Sequence, residues 1–319
     1  MRTLMMAAVA LCLGVSPALA EEFTVATFNA EFLIRDRIHV REGLPLTLSA
    51  DQRAEWTPAR REAAFSAAVG RVALVIAATG ADVLVLTEVG GEADVNSLNA
   101  RLATLGAGYP YVAVCECTDG ATQQHVAILS KVPLSGVTRS LAGREHYLTE
   151  LDDEDSEEDT GLSKAMKVEL SFGGRSITVY GIHLVSERGG HEGDAQRLAQ
   201  ASIVRRHYLR DIEQGRHVIV AGDLNDKRGD PTIQRIRGLD DIGPDLIQTG
   251  HVRYFAPDQL GERWTYAYQG ERNQIDHILL SDSIAEHARR GGIRARVARV
   301  TDPQVSDHSP LIVTIDFRP

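Results

Sequence analysis

The chain has 319 residues, of which 43% are hydrophobic and 24% are charged, a composition that is typical of globular proteins and excludes disordered and fibrous ones. Its 44 acidic and 34 basic residues give a net charge of −10, which excludes a strongly basic nucleic-acid scaffold but leaves room for local basic patches. Aromatic residues make up only 5% of the chain, which argues against an aromatic belt that docks on a membrane.

The first 20 residues have the pattern of a secretory signal peptide. Arg2 supplies the N-terminal positive charge, an apolar run from Leu4 to Val15 follows, and Ala18-Leu19-Ala20 is a small-x-small cleavage site. The apolar run is too short to span a bilayer well, and no other stretch qualifies, so we expect no stable membrane anchor. The sequence therefore predicts a secreted or periplasmic protein that is cut after Ala20, and a buried N-terminal helix is the alternative.

The spacing of apolar residues predicts short strands that alternate with two long helices. Phe23 to Asn29 is the first strand, and Thr57-Pro58 begins a helix that ends near Gly80. A second helix is expected from Gln196 to Ile212. The other expected strands are Asp82 to Val89, Val112 to Val114, Val126 to Ser130, a hairpin of Met166 to Phe172 and Ser176 to His183, His217 to Ala221, Ile275 to Leu280, and Leu311 to Phe317. Since no internal repeat and no linker interrupts this order, residues 21–319 are expected to form a single α/β domain.

Two cysteines, Cys115 and Cys117, remain once Cys12 leaves with the signal peptide. In an oxidising compartment this pair could form a small disulfide loop, and two free thiols on a strand are the alternative. Two thiols alone do not make a zinc site. The sequence leaves the choice between disulfide and thiols open.

The segment from Glu150 to Asp159 has eight acidic residues in ten positions. A solvated, mobile loop is the simpler interpretation of such a run. A Ca²⁺ site is the alternative, because clustered carboxylates suit calcium, although the run lacks the spaced glycine and terminal glutamate of an EF-hand loop.

Side chains that can bind a metal or transfer a proton lie at the ends of predicted strands, where a rigid scaffold presents functional groups. The segments concerned are Thr27-Phe28-Asn29, Leu86-Thr87-Glu88, Gly181-Ile182-His183, Gly222-Asp223-Leu224-Asn225, Gln274-Ile275-Asp276-His277 and Ser306-Asp307-His308. Glu88 and Asp307, with Asn29 nearby, offer hard oxygen ligands, which suit Mg²⁺ or Mn²⁺ better than zinc.

These residue types suggest hydrolysis of a phosphate ester, in which a metal stabilises charge on the phosphoryl and leaving groups. Asp223 can orient water or take its proton, and Asn225 can donate to a phosphate oxygen. His183 and His308 can bind phosphate or carry protons, because histidine titrates near neutral pH. Asp276 is the best-placed carboxylate to hold His308 in the required tautomer.

The segments TFNAEF, LTEV, GIHLVS, GDLND, QIDHILLS and SDHSPL, in this order, resemble the endonuclease/exonuclease/phosphatase superfamily. Its members include pancreatic-type deoxyribonuclease, abasic-site endonucleases, neutral sphingomyelinases and inositol polyphosphate phosphatases. The resemblance runs from about Phe23 to Phe317, and GDLN and SDH are its most specific motifs. It implies a four-layer α/β sandwich with two packed mixed β-sheets flanked by helices.

The resemblance also implies roles for individual residues. The metal would be held by Asn29, Glu88 and Asp307. Catalysis would depend on His183, Asp223, Asn225, Asp276 and His308, with Asp276 paired to His308 and His308 in contact with the scissile phosphate. Members of the family often carry an arginine before the hairpin. In this chain the nearest cations are Lys164 and Lys167. A lysine binds a phosphate through a single ammonium group and does not offer the two parallel N–H donors of an arginine.

The expected function is that of a secreted or periplasmic metal-dependent phosphodiesterase, most simply a nuclease that acts on DNA or RNA. The acidity of the chain stands against a nucleic-acid substrate, because phosphate contacts normally need lysine or arginine. A sphingomyelinase-like phospholipid phosphodiesterase is the first alternative, although the exposed apolar hairpin it would need is not found. A small-molecule phosphatase is the next. A catalytically dead binding domain would have lost some of the polar positions, whereas the whole set is present.

Overall fold

The structure of this protein is a computed structural model, which describes residues 22–151, 154–239, 246–248 and 255–317. The predicted signal peptide lies outside the described residues. The strands are β1 (Glu22–Leu33), β2 (Val83–Val89), β3 (Tyr111–Val114), β4 (His125–Ser130), β5 (Leu134–Thr138), β6 (Arg144–Leu151), β7 (Glu154–Gly161), β8 (Ala165–Phe172), β9 (Arg175–His183), β10 (His217–Asp223), β11 (Leu246–Gln248), β12 (Tyr266–Tyr268), β13 (Glu271–Asn273), β14 (Asp276–Ser281), β15 (Ile293–Val297) and β16 (Leu311–Asp316). The α-helices are α1 (Ala50–Glu55), α2 (Pro58–Ala77), α3 (Glu92–Thr104), α4 (Gly190–Glu213), α5 (Pro231–Arg237) and α6 (Asp282–His287).

Twelve of these strands form two six-stranded sheets. The first sheet has the order β15-β16-β1-β2-β4-β3, and the second has the order β11-β14-β10-β9-β8-β5. The pairs β1–β2 and β9–β10 are parallel, and the other neighbours in the two sheets are antiparallel. Both sheets are therefore mixed, and β6–β7 and β12–β13 are separate two-stranded hairpins.

Three apolar clusters hold the layers together. Side chains such as Val25 and Ala221 fill the core between the two sheets. Helices α2 and α3 cover the outer face of the first sheet, where Phe65 and Leu86 belong to one cluster. Helices α4 and α5 cover the outer face of the second sheet, where Val204 is part of the core. The predicted four-layer α/β sandwich is confirmed.

Alternation along each strand decides which residues face the space between the sheets, because successive side chains of a strand point to opposite sides. Val25 of β1 lies in the core between the sheets, whereas Ala26 and Phe28 lie in the outer cluster. Asn29 lies an even number of residues after Val25, so its side chain also points to the space between the sheets. It stands where the apolar part of the strand ends.

The second sheet repeats this pattern. Val179 of β9, Ala221 of β10 and Ile278 of β14 belong to the inner core. His183, Asp223 and Asp276 are each an even number of residues away from the core residue of their own strand, so their side chains lie on the same side of the sheet as the inner core. The register pairs Asp223 with His183 on one side and with Asp276 on the other, so three polar side chains stand in one row across the sheet.

Gly222 permits the close pairing of β9 and β10 just before this row. Its φ of +146° is a conformation that other residues rarely adopt, and a Cβ there would collide with the backbone carbonyl of Ile182. A side chain at position 222 would therefore push apart the two strands that carry His183 and Asp223.

The predicted long elements are present with shifted ends. Strand β1 continues to Leu33, four residues beyond the prediction, and α4 begins at Gly190, six residues before it. Helix α3 was not predicted, although Val95, Leu98 and Leu102 are its buried residues at helical spacing. Residues Cys115 and Cys117 form a disulfide. None of the helices in the described part of the chain is long and apolar enough to cross a membrane.

The acidic segment is a hairpin, so its interpretation as a mobile loop is wrong for the residues described. Strands β6 and β7 pair antiparallel from Arg144↔Gly161 to Leu151↔Glu154. Cross-strand partners offset part of the negative charge, since Asp159 lies 3.6 Å from Arg144 and also contacts His146. The Ca²⁺ site remains a prediction.

His277 lies on the outer face of β14, as alternation predicts, and is fully buried. Its Nε2 lies 2.9 Å from the carbonyl oxygen of Asp226. Burial lowers the pKa of His277 to about 4, so the ring is neutral at physiological pH. Replacing His277 would leave a buried carbonyl without this partner, and it is therefore not a neutral substitution.

We expect the contribution of His277 to the stability of the protein to be lost as the pH falls from 6.5 toward 4. Over this range His277 takes up a proton in the unfolded chain, with an ordinary pKa of 6.5, but not in the folded one, with a pKa of about 4. The unfolded state binds more protons and is favoured as the pH drops, by about 2 kcal/mol between pH 7.5 and pH 5. Urea denaturation at these two pH values measures the loss.

The matched variants are His277→Gln and His191→Gln, the second of which changes an exposed histidine in the first turn of α4. Relative to the wild type, the His277→Gln protein should gain about 2 kcal/mol of stability between pH 7.5 and pH 5, and the His191→Gln protein should show no difference. An equal change in all three proteins would show that His277 does not titrate as stated.

Candidate active site

The eight predicted site residues meet at one end of the sandwich, beside a cleft with a volume of about 1260 Å³. Six of them line the cleft: Glu88, His183, Asp223, Asn225, Asp307 and His308. Asn29 and Asp276 lie directly behind these residues and hydrogen-bond to them. The structure thus brings together residues that are spread over nearly the whole chain.

Asn29 connects the two sheets at the floor of the cleft. Its Nδ2 donates to Oδ2 of Asp223 at 2.9 Å and to Oε1 of Glu88 at 3.1 Å. Its Oδ1 accepts from the backbone N–H of Glu31 at 2.9 Å. In this arrangement Asn29 holds two carboxylates in place, and its predicted role as a metal ligand remains a prediction.

Glu88 sits at the end of β2 with a φ of +55°, in the left-handed region that glutamate seldom adopts. Its Oε2 accepts from the backbone N–H of Phe32 at 3.1 Å. Burial raises the pKa of Glu88, and the charge of Asp307 adds to this effect. The strained backbone and the burial of its carboxylate agree with the predicted role of Glu88 as a functional residue, which remains a prediction.

Glu31 is a third carboxylate at this place, and sequence reasoning missed it. Burial and the charge of Asp307 raise the pKa of Glu31 to about 7, against an opposing effect of Arg41. Its position two residues after Asn29 was the available signal. Glu31, Glu88 and Asp307 all line the cleft and carry the oxygen donors that Mg²⁺ and Mn²⁺ prefer. The ligand atoms of Glu88 lie within 4.8 Å of those of His183 and Asp223, so this group could hold a metal ion.

His308 is held by Asp276, as predicted, with 2.7 Å between Nδ1 and Oδ2. Burial lowers the pKa of His308, but the charges of Asp276 and Asp223 and this hydrogen bond outweigh burial and raise it. The ring is therefore protonated at neutral pH. The backbone N–H of His308 donates to Ser306 Oγ, which donates in turn to the carbonyl of Asn29, and this fixes the loop against β1.

Asp223 lies between the two histidines, with Oδ2 at 3.9 Å from Nε2 of His183 and at 3.9 Å from Nε2 of His308. Its Oδ1 accepts from the backbone N–H of Asn225 at 2.9 Å. Burial and the charge of Asp276 raise the pKa of Asp223. Asn225 has a φ of +51° and donates from Nδ2 to the carbonyl of Leu184, which directs this side chain into the cleft.

His183 differs from His308 in its charge state. Burial, together with the charges of Lys164 and His308, lowers the pKa of His183 well below its ordinary value. Its Nε2 lies 4.0 Å from Oε1 of Glu88, and its Nδ1 is buried without a hydrogen-bond partner among the described residues. One neutral and one protonated histidine therefore face the same carboxylate of Asp223, an arrangement that separates acid and base roles.

The structure distinguishes the two lysines of the hairpin. Lys164 lines the cleft, donates to Oε1 of Gln124 at 3.1 Å and lies 3.5 Å from Oδ2 of Asp119. Lys167 instead forms two hydrogen bonds of 2.9 Å with Asp211 of α4. Of these two cations, only Lys164 can meet a substrate in the cleft.

The sequence analysis also missed two aromatic residues of the cleft wall, Tyr266 and Tyr268 of β12. The strand has only three residues, which is too short for a clear periodic pattern. Its pairing with β13 forms a small hairpin beside His308.

Comparisons with known proteins identify the family and the fold of the chain. The sequence model of the Endonuclease/Exonuclease/phosphatase family matches residues 26–308. No curated protein matches the chain significantly in sequence.

Several solved structures share the fold. Truncated TDP2 of Caenorhabditis elegans is 16% identical with a TM-score of 0.56, over 92% of this chain and 98% of that chain. A mutant beta toxin of Staphylococcus aureus with bound magnesium ions is 13% identical with a TM-score of 0.57, over 92% of this chain and 99% of that chain. An endonuclease/exonuclease/phosphatase from Beutenbergia cavernae is 16% identical with a TM-score of 0.56, over 93% of this chain and 72% of that chain.

Since the family match extends over most of the residues that build the two sheets and ends on His308, the chain belongs to the endonuclease/exonuclease/phosphatase family.

Proposed function

We propose that this protein is a secreted or periplasmic phosphodiesterase that uses Mg²⁺ or Mn²⁺ to hydrolyse P–O bonds, and that its substrate is a nucleic acid. The observation that carries the proposal is a pair of clusters at one cleft, Glu88 with His183 and Asp223, and Asp223 with Asp276 and His308, each with its ligand atoms within 4.8 Å of one another. In this cleft one buried histidine, His183, is neutral and another, His308, is protonated. Neither a purely structural core nor a binding surface needs buried groups that differ in charge in this way.

The carboxylates fit a divalent metal. Glu31, Glu88 and Asp307 line the cleft with oxygen donors, and Glu88 lies close to His183 and Asp223. Burial raises the pKa of Glu31 and of Glu88, so a bound cation would stabilise their charged forms. A divalent ion bound there would polarise a phosphoryl oxygen and stabilise charge on the leaving group. The magnesium ions in the beta toxin structure support this choice of metal.

The chain's own residues can bind the phosphate and move a proton. Protonated His308, oriented by Asp276, can donate from Nε2 to a phosphate oxygen. Asp223, whose pKa is raised by burial, can orient a water molecule and accept its proton. Asn225 donates one N–H to Leu184, and the second N–H of this amide, which no described residue accepts, can bind another phosphate oxygen.

Two features favour nucleic acid over phospholipid as the substrate. Lys164 and Arg188 supply positive charge to the cleft of an otherwise acidic protein. The exposed aromatic residue of the cleft wall, Tyr268, stands among polar neighbours instead of in an apolar patch that would enter a membrane.

We expect hydrolysis to require Mg²⁺ or Mn²⁺ and to stop when a chelator removes the metal. Glu88→Gln removes one ligand charge, so it should raise the metal concentration needed for half-maximal activity by at least about tenfold, with little change in melting temperature. The assay measures turnover of duplex DNA, RNA, sphingomyelin and a simple phosphodiester ester against metal concentration.

The matched control is Glu92→Gln, an exposed glutamate in the first turn of α3. It should leave the metal dependence unchanged. Full turnover in excess chelator would contradict the metal requirement, and hydrolysis of sphingomyelin alone would contradict the nucleic-acid substrate.

We expect His308→Ala and Asp223→Asn each to lower kcat by at least about a hundredfold with a much smaller effect on KM, because a positioned acid or base acts on the transition state. Asp276→Asn should act through His308. The double variant Asp276→Asn/His308→Ala should therefore lose less than the product of the two single losses.

His191→Ala is the control for a histidine that contacts no site residue. Steady-state kinetics on the substrate identified above measure all five proteins after circular dichroism has shown them to be folded. Near wild-type kcat for folded His308→Ala would remove its assigned role, and strictly multiplicative losses would show that Asp276 and His308 do not act as a pair.

A further inference from the structure

The β12–β13 hairpin forms one wall of the cleft and carries an aromatic face. Its turn residues, Gln269 and Gly270, have φ values of +49° and +87°, as expected for the mirror-image turns that close two-residue hairpins. Tyr266 and Tyr268 are two residues apart on β12 and so point to the same side.

The two tyrosines continue from His308 as a row of rings. The ring of Tyr266 lies 4.8 Å from the ring of His308, between centroids. The ring of Tyr268 lies 6.2 Å from that of Tyr266, and their planes differ by only 13°. Tyr268 is 45% exposed, so the row begins at the proposed phosphate-binding histidine and ends on a ring that is partly accessible to solvent.

Backbone hydrogen bonds join the β12 strand to the loop that carries Asp307 and His308. The backbone N–H of Ala267 donates to the carbonyl of Asp307 at 3.0 Å, and that of Ser309 donates to the carbonyl of Thr265 at 2.6 Å. The hairpin therefore keeps its position relative to His308, and a group that rests on Tyr268 is placed at a fixed distance from the reacting phosphate.

Arg188 supplies a positive charge beside the rings. Its guanidinium carbon lies 5.3 Å from the ring centroid of Tyr268, and its charge also acts on the hydroxyl group of Tyr266. A flat aromatic face next to a cation is the combination that binds the base and the backbone of single-stranded nucleic acids.

We propose that Tyr268, supported by Tyr266 and Arg188, stacks against the nucleobase next to the scissile phosphate, and that the enzyme therefore acts preferentially on single-stranded nucleic acid. This inference rests on the phosphodiesterase function proposed above. A base in a duplex would have to leave its own stack to reach Tyr268, which costs a few kcal/mol, whereas a base in a single strand is free to do so.

A lipid substrate fits this wall less well. Gln269 and Glu271, next to Tyr268 at the hairpin tip, are exposed and polar. An anionic or zwitterionic lipid surface offers no planar group to stack, and membrane insertion would need an apolar tip. The arrangement favours a planar, uncharged ring that is attached to a phosphate.

The test uses the full-length mature enzyme and two oligomers of equal length and charge. One is an oligothymidylate, and the other has abasic tetrahydrofuran units in place of the nucleosides. The measured quantity is the ratio of kcat/KM for the first oligomer to kcat/KM for the second. We expect Tyr268→Ala to lower this ratio between about fivefold and a hundredfold, the loss that corresponds to stacking of one base.

Matched variants separate stacking from other effects. Tyr268→Trp keeps a flat ring and should keep the ratio near that of the wild type. Tyr111→Ala removes an exposed tyrosine from β3, at the edge of the first sheet, and should also leave the ratio unchanged. Equilibrium binding of the oligothymidylate in the presence of a chelator should weaken in Tyr268→Ala alone.

The outcomes distinguish the inference from the function on which it rests. An unchanged ratio in Tyr268→Ala, or faster wild-type hydrolysis of duplex than of single-stranded DNA, overturns the stacking site while phosphodiesterase activity stands. Hydrolysis of sphingomyelin vesicles but of neither oligomer overturns the stacking site and the nucleic-acid substrate. No hydrolysis of any phosphodiester by the wild type overturns both proposals.

Discussion

The hydrogen bond from Asn29 to Asp223 joins the two sheets at the place where their shared apolar core ends. Both side chains follow core residues at even spacing along their strands, Val25 in one sheet and Ala221 in the other. The alternation that builds the core therefore also aims the polar groups at one another. A slip of one residue in either strand would turn its polar side chain to the outer face, away from the cleft.

This geometry concentrates charge that the fold must then stabilise. Asp223 and Asp276 lie side by side on neighbouring strands, Glu88 lies close to Asp223, and Glu31 and Asp307 line the same cleft. Their repulsion is offset by the proton on His308 and by donors from Asn29 and the backbone. The same burial lowers the pKa of His183 and raises that of Asp223, so one environment produces groups of different charge and function.

Elements with a clear period were predictable, and those without one were not. Buried strands such as β2 and β10 and the amphipathic helices α2 and α4 are visible in the sequence because their apolar residues repeat. The acidic hairpin β6–β7 was taken for a loop, because its stability comes from cross-strand pairing and not from an apolar face of its own. The strands β12 and β13 have only three residues each, which is too short to show a period, and β12 also contacts the loop that carries Asp307 and His308.

By itself, the sequence determined which chemical groups are present and on which side of each strand they stand, because alternation is a local property of the backbone. It also pointed to the pairing of Asp276 with His308 through the family resemblance. Only the tertiary structure decided that Glu31 joins the carboxylates, that Lys164 and not Lys167 meets the cleft, and that Asn29 donates to Asp223. These facts depend on contacts between segments as much as 194 residues apart, and on burial that no single segment creates.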